Sequence, residues 1–362
     1  MKTSSRSFIS IRVLVAVLIW GGAISATLAH EPGLSTVTMQ LPPGVIDVAV
    51  VLSLKDAAEL AGSDVSHPPT SSALGVASRD ALEVTADSMP ARLEIAGCSF
   101  DGSSNATVHL RMKAATISTI ELRSRCFALL PLGHRQFVTI QDYRGEVLAE
   151  KLLSAKANSF TLRMEGSNTA SAPVVSRQIF IDFLLLGMKH ILTGYDHLLF
   201  LFSLLLVTKK LAPTLKIITA FTVAHSITLA LASLNVVRIP ASIVEPIIAA
   251  SIIYVGLENI LRGEVPKGRV LLTFAFGLIH GLGFASALRE AGLGANGSGI
   301  LAPLVSFNLG VELGQMFVAA ITLPLLWKLT SRPILARRWV PACSSLVVLA
   351  GGYWLVQRLW WP

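Results

Sequence analysis

The chain has 362 residues, 52% of them hydrophobic and only 14% charged, with a mean hydropathy of +0.64. A soluble domain carries about 25% charged residues, so a wholly soluble globular chain is excluded. The net charge of +8 does not call for nucleic acid, because much of the excess sits between apolar segments, where it reads as membrane topology.

Residues 1–29 read as a secretory signal: Lys2, Arg6 and Arg12 make a basic start, Val13–Trp20 is an apolar run, and Thr27-Leu28-Ala29 offers small residues before a cut. The mature chain then begins at His30, whose free amine and imidazole would together offer a metal two ligands. An uncleaved anchor helix is the alternative, for which the run is short.

Residues 30–165 are polar with short alternating or β-branched runs: Leu34–Gln40, Val45–Leu54, Ala91–Ile95, Thr107–Met112, Ser118–Leu122, Phe137–Gln141 and Ser159–Met164. Turn residues separate them, among them Pro42-Pro43-Gly44, Asp101-Gly102 and Arg144-Gly145. This pattern predicts an antiparallel sandwich. Lys55–Ala61 reads as a short helix, and His67-Pro68-Pro69 opens a loop. Cys98 and Cys126 fall here, and an oxidising compartment would favour a disulfide between them. His67, His109 and His134 read as ordinary surface or core residues. Residues 166–178, within the small-polar stretch after Glu165, form a linker.

Residues 179–362 hold six apolar segments, approximately 180–207, 214–234, 242–261, 270–289, 301–328 and 339–358. Each is about 20 residues or more, enough for about 30 Å of hydrocarbon. Gly194 interrupts the first. The first, third and fifth connections carry ten basic residues, and the others, with the C-terminal end, carry three. The positive-inside rule places those three connections in the cytoplasm. Residues 30–178 and the C-terminus then lie outside, at a bacterial-type inner membrane. The expected architecture is an all-α six-helix transmembrane bundle preceded by a mainly β, sandwich-like extracytoplasmic domain.

Ionisable groups inside such spans are costly and mark function. His190, Asp196 and His197 lie in the first span, His225 in the second, Glu245 near the outer end of the third, His280 in the fourth, and Glu312 in the fifth. Asn308, Glu312 and Gln315 share one helix face. His190 and His197 are two turns apart and face one side. Asp196 joins them only if Gly194 loosens the helix. Glu258 reads as a helix-end residue, and Cys343 as packing. Gly277, Gly281 and Ala285 at four-residue steps allow close helix approach. Imidazoles and carboxylates together suit divalent transition metals. The candidate ligands are therefore His190, Asp196, His197, His225, His280, Glu312, Glu245 and Asn308.

His190-Ile-Leu-Thr-Gly-Tyr-Asp196-His197 resembles the HPxxGxDH signature of the HupE/UreJ proteins. Thr222-Val-Ala-His225-Ser226, Val244-Glu245-Pro246, Glu258-Asn259, Phe276-Gly277-Leu278-Ile279-His280-Gly281 and Phe307-Asn308-Leu309-Gly310-Val311-Glu312 resemble further blocks of that family, in order. The resemblance implies a polytopic permease for nickel or cobalt, with His190, Asp196 and His197 as a metal site. Ile191 stands where the signature has proline. The leading expectation is a divalent-metal transporter, with the metal ion and the lipid bilayer as partners. No GxxxxGK[ST] phosphate loop is present, which argues against direct ATP drive. An intramembrane zinc hydrolase and a membrane-anchored sensor or assembly factor, its outer domain binding a partner, are the alternatives.

Overall fold

The computed structural model describes residues 33–63, 69–100, 105–113, 118–164, 177–208, 210–234, 236–237, 239–262, 268–290, 301–330 and 333–360. The signal segment, His30 and His67 lie outside them.

The first part is β-rich. Its strands are β1 (Leu34–Leu41), β2 (Val45–Ser53), β3 (Leu82–Ala86), β4 (Met89–Pro90), β5 (Glu94–Phe100), β6 (Asn105–Lys113), β7 (Thr119–Ser124), β8 (Arg135–Asp142), β9 (Val147–Ser154) and β10 (Ser159–Arg163). They form a six-stranded sheet, β5-β6-β2-β1-β8-β9, and a four-stranded sheet, β10-β7-β3-β4. Alternation drives the burial. In β2, Ile46, Val48, Val50 and Leu52 point inward while their neighbours are half-buried. Leu82, Val84, Ile120 and Leu122 of the smaller sheet join the same core.

The expected antiparallel arrangement needs one correction: β1 pairs in parallel with β8, from Leu34 opposite Arg135 to Leu41 opposite Asp142. The disulfide does not form either. Cys98, on strand β5, and Cys126, in a single 3-10 turn after β7, are both free, and the Cys126 thiol lies 3.0 Å from the Ser124 hydroxyl.

Two short helices cover the core. Helix α1 (Leu54–Ala61) is capped by Ser53, which accepts from the Asp56 amide at 2.9 Å, and ends at Gly62 with φ of 66°. Helix α2 (Ser71–Asp80), capped by Thr70, falls where sequence reasoning placed only a loop.

The second part is helical: α3 (Arg177–Thr193), α4 (Tyr195–Leu206), α5 (Leu211–Ser233), α6 (Ala241–Arg262), α7 (Arg269–Glu290), α8 (Leu301–Thr330) and α9 (Pro333–Trp360). Among the described residues the count of six spans is not reached. Four stretches there are long and apolar enough to cross a membrane: Leu211–Ser233, Ser242–Arg262, Leu301–Lys328 and Arg338–Trp360. The first expected span is broken, because Gly194 takes an extended backbone (φ −76°, ψ 95°). Its second piece, α4, has 12 residues, roughly 18 Å at 1.5 Å per residue. In the fourth, the described apolar stretch is only Arg269–Phe284.

The β-rich and helical parts share an apolar cluster. Leu34, Phe137 and Leu152 pack with Ile179 and Phe183 of α3, Phe284 of α7, and Leu304 and Phe307 of α8. The Phe137 and Phe183 rings meet edge to face at 5.5 Å.

A polar pair lies inside the β-rich part. His134 Nε2 is 2.9 Å from the Ser35 hydroxyl, and Nδ1 is 3.9 Å from Asp56 Oδ2. Burial pushes Asp56 up to about 6 and His134 down to about 4. The two act in opposite senses on stability. The Asp56 contribution is complete below its unfolded value near 4 and is lost as pH rises through about 6. That of His134 is present above about 6.5 and is lost as pH falls through about 4. Between pH 7 and 4, Asp56→Asn should therefore lose about 3 kcal/mol relative to wild type, and His134→Gln should gain a similar amount. Thermal unfolding of the detergent-solubilised chain across that range checks both signs.

Candidate metal centre

His190 lies in the last turn of α3 and His197 in the first turn of α4, so the break at Gly194 sets their relation. A Cβ at Gly194 would stand 2.7 Å from the His190 carbonyl oxygen and 2.9 Å from His197 Nδ1. Only glycine leaves that space to the His197 ring. The Gly194 amide still donates to the His190 carbonyl at 2.8 Å, and the chain re-enters a helix at once.

The two imidazoles meet with ring centroids 4.7 Å apart. His225 of α5 lies 6.2 Å from His190 and 6.1 Å from His197, centroid to centroid. One nitrogen from each of the three lies within 4.8 Å of the others. An ion shared by the three would take each nitrogen at about 2.0–2.1 Å. His280 of α7 is 5.2 Å from His197 by centroid. It stands beside this group.

Close helix approach makes this possible. A Cβ at Gly277 would lie 2.7 Å from the Phe221 carbonyl oxygen, and one at Gly281 would lie 2.5 Å from that of His225. Helices α5 and α7 thus touch backbone to backbone beside the histidines. Gly187 and Gly310 do the same for α3 and α8.

Aromatic rings enclose the group. Phe284 and Phe307 stack at 4.6 Å and sit 4.4 and 5.6 Å from His190. Phe200 is 4.8 Å from His280, and Phe221 stacks on His225 at 6.0 Å. All four histidines are buried. Each is held among apolar side chains, yet His197 Nε2, His225 Nε2 and His280 Nδ1 have no hydrogen-bond partner among the described residues.

The other candidates, Asn308 apart, are placed away from the three histidines. Gly194 does loosen the turn, but Asp196 binds Arg358 of α9, Oδ2 to Nη2 at 2.6 Å. Glu245 is exposed, and Arg358 also donates to its backbone carbonyl at 3.2 Å. Glu312 accepts from the Thr219 hydroxyl at 3.0 Å, and Gln315 from Thr222 at 3.0 Å. Asn308 Oδ1 is 3.3 Å from His225 Nδ1. Arg358 and Ser251, which meets His280, were missed by sequence reasoning. Both partners are distant in sequence, and Arg358 read only as a charge after the last span.

Glu258 is more than a helix-end residue. It is buried and binds Arg269 at 2.5 Å, while Arg269 also donates to Asn259 at 3.0 Å. Asn259 in turn donates to the Ser203 carbonyl at 2.7 Å, tying α4, α6 and α7 together.

A family model described as HupE / UreJ protein matches residues 167–358, more than half of the chain. The chain belongs to the HupE/UreJ family. The match covers every helix from α3 to α9 except the end of the last, and with them the histidine group, and it leaves out the β-rich part. No curated protein matches the chain. This HupE/UreJ chain is a membrane protein on two grounds, the family and its long apolar helices.

Glu258→Gln would leave Arg269 buried without its counter-charge. It should cost about 3–5 kcal/mol, whereas Glu258→Leu with Arg269→Met should be near neutral. Thermal midpoints of the three purified chains decide this.

Proposed function

We propose that this chain is a transporter for a divalent transition-metal ion, nickel or cobalt, and that His190, His197 and His225 form its intramembrane binding station. The observation that carries this reading is the meeting of three buried imidazoles from three helices, one nitrogen of each within 4.8 Å of the others. Neutral imidazoles suit nickel, cobalt, copper and zinc, and poorly suit magnesium or calcium, which take oxygen. The family membership supports the choice of nickel or cobalt as substrate.

The ligand chemistry fits transit better than storage. Among the described residues no carboxylate joins the three histidines to cancel the ion's charge. A dication held by neutral ligands in an apolar box is bound without being trapped, as passage requires.

In this reading α3 with α4, and α7, cross the bilayer along with the four longer helices, giving six crossings. Residues 1–29 direct export, residues 30–165 stand outside, and the basic connections face the cytoplasm. His280 is the next station along the path. Asp196 reaches the ion only on release from Arg358.

The first test is metal content. Wild type purified in detergent after loading with nickel or cobalt should carry the ion, measured by mass spectrometry. His197→Ala with His280→Ala should carry less than a tenth as much, and cells expressing it should lose uptake of the same ion. Wild type that binds none of nickel, cobalt, zinc or copper would sink the proposal.

A further inference from the structure

We infer that Ser251 and Asn308 are positioning residues that fix the tautomers of His280 and His225, leaving one bare ring nitrogen on each for a late first-row transition-metal ion. This rests on the transporter reading above. It assigns Asn308 a role through His225 in place of direct ligation, and it adds Ser251.

The hydrogen-bond partners determine where each proton sits. The Ser251 hydroxyl donates its single proton to the Ile248 carbonyl at 2.7 Å. Its 3.0 Å contact with His280 Nε2 must then be one it accepts. His280 therefore carries its proton on Nε2, and its lone pair on Nδ1. That Nδ1 is buried and has no partner among the described residues.

Asn308 works in the opposite sense. Its Nδ2 donates to the Leu304 carbonyl at 2.9 Å, which turns Oδ1 toward His225 Nδ1 at 3.3 Å. The amide's orientation is thus set by a second bond. His225 carries its proton on Nδ1 and leaves Nε2 bare, again without a partner among the described residues. Serine and asparagine each supply the acceptor that a metal-binding imidazole needs for its other nitrogen. Both are neutral, so they orient the ring without making it a strongly basic ligand.

The pairs also span helices. Ser251 joins α6 to α7, and Asn308 joins α8 to α5. The orientation of each imidazole therefore depends on the packing of a neighbouring helix. A shift of α6 or α8 would remove the acceptor and alter the ligand it holds.

The direct test needs no metal. Imidazole nitrogen NMR of the full chain, labelled at histidine and assigned by the signals lost in His225→Gln and His280→Gln, should show Nδ1–H for His225 and Nε2–H for His280. The reverse tautomer at either residue overturns the inference. A second readout is cobalt titration followed by ligand-field absorption. Asn308→Leu and Ser251→Ala should weaken cobalt binding about 10–100-fold, and Ser251→Thr should restore it in place of the alanine. Wild-type affinity in the leucine and alanine variants would mean a purely structural role and overturn the inference. The expected tautomers in a wild-type chain that binds no cobalt would show that the transporter reading has failed, and the metal role assigned here fails with it. Wrong tautomers with cobalt bound would show that only this inference has failed.

Discussion

A polar group taken out of water among apolar helices must find a partner or cost several kcal/mol. Most of the helical part obeys this constraint visibly. Ser226, Thr273 and Thr322 return their hydroxyls to carbonyls one turn back. Glu258 meets Arg269, Asp196 meets Arg358, and Glu312 meets Thr219. The exceptions among the described residues include Asp196 Oδ1, Arg269 Nε, Ser344 Oγ and the bare nitrogens of three histidines, His197, His225 and His280. The three imidazoles gather in one place, where their cost would be offset by a bound ion.

Glycine is what lets them gather. Imidazoles from different helices approach closely only if the backbones do, and the contacts at Gly187, Gly310, Gly277 and Gly281 bring carbonyls where side chains would otherwise stand. Gly194 acts differently. It ends α3, frees the space beside His197, and turns α4 so that residues two turns apart in sequence still face one another. The resulting break also shortens the helix, so one feature both brings two imidazoles together and lowers the count of long apolar helices.

The β-rich part is joined to this arrangement through side chains. Phe137 and Leu152 pack on Phe183 and Ile179 of α3, and the same cluster includes Phe284 and Phe307, the rings against His190. A movement of the sheet would thus be felt at the aromatic wall of the histidine group. Such contiguous packing gives an outer domain a physical means to influence the centre.

Much of this was legible in the residue order. Alternation marked β1, β2, β6 and β8, since burial on one face demands a period of two. Apolar length marked the four long helices. Ionisable residues within them marked the histidines, because hydrocarbon tolerates such groups only for a reason. Helix α2 and strands β3, β4 and β9 were not legible, their short patterns being indistinct from loop. The partners were not legible either. Arg358 lies 162 residues from Asp196 and Ser251 lies 29 from His280, and no local periodicity links residues so far apart. The sequence by itself determined that the four histidines would be buried and what chemistry they carry, because apolar composition around them governs burial, though it did not foresee Glu245 as exposed. Only the tertiary structure decided which of them meet, that three histidines converge while Asp196 turns to an arginine, because that depends on how closely separate helices pack.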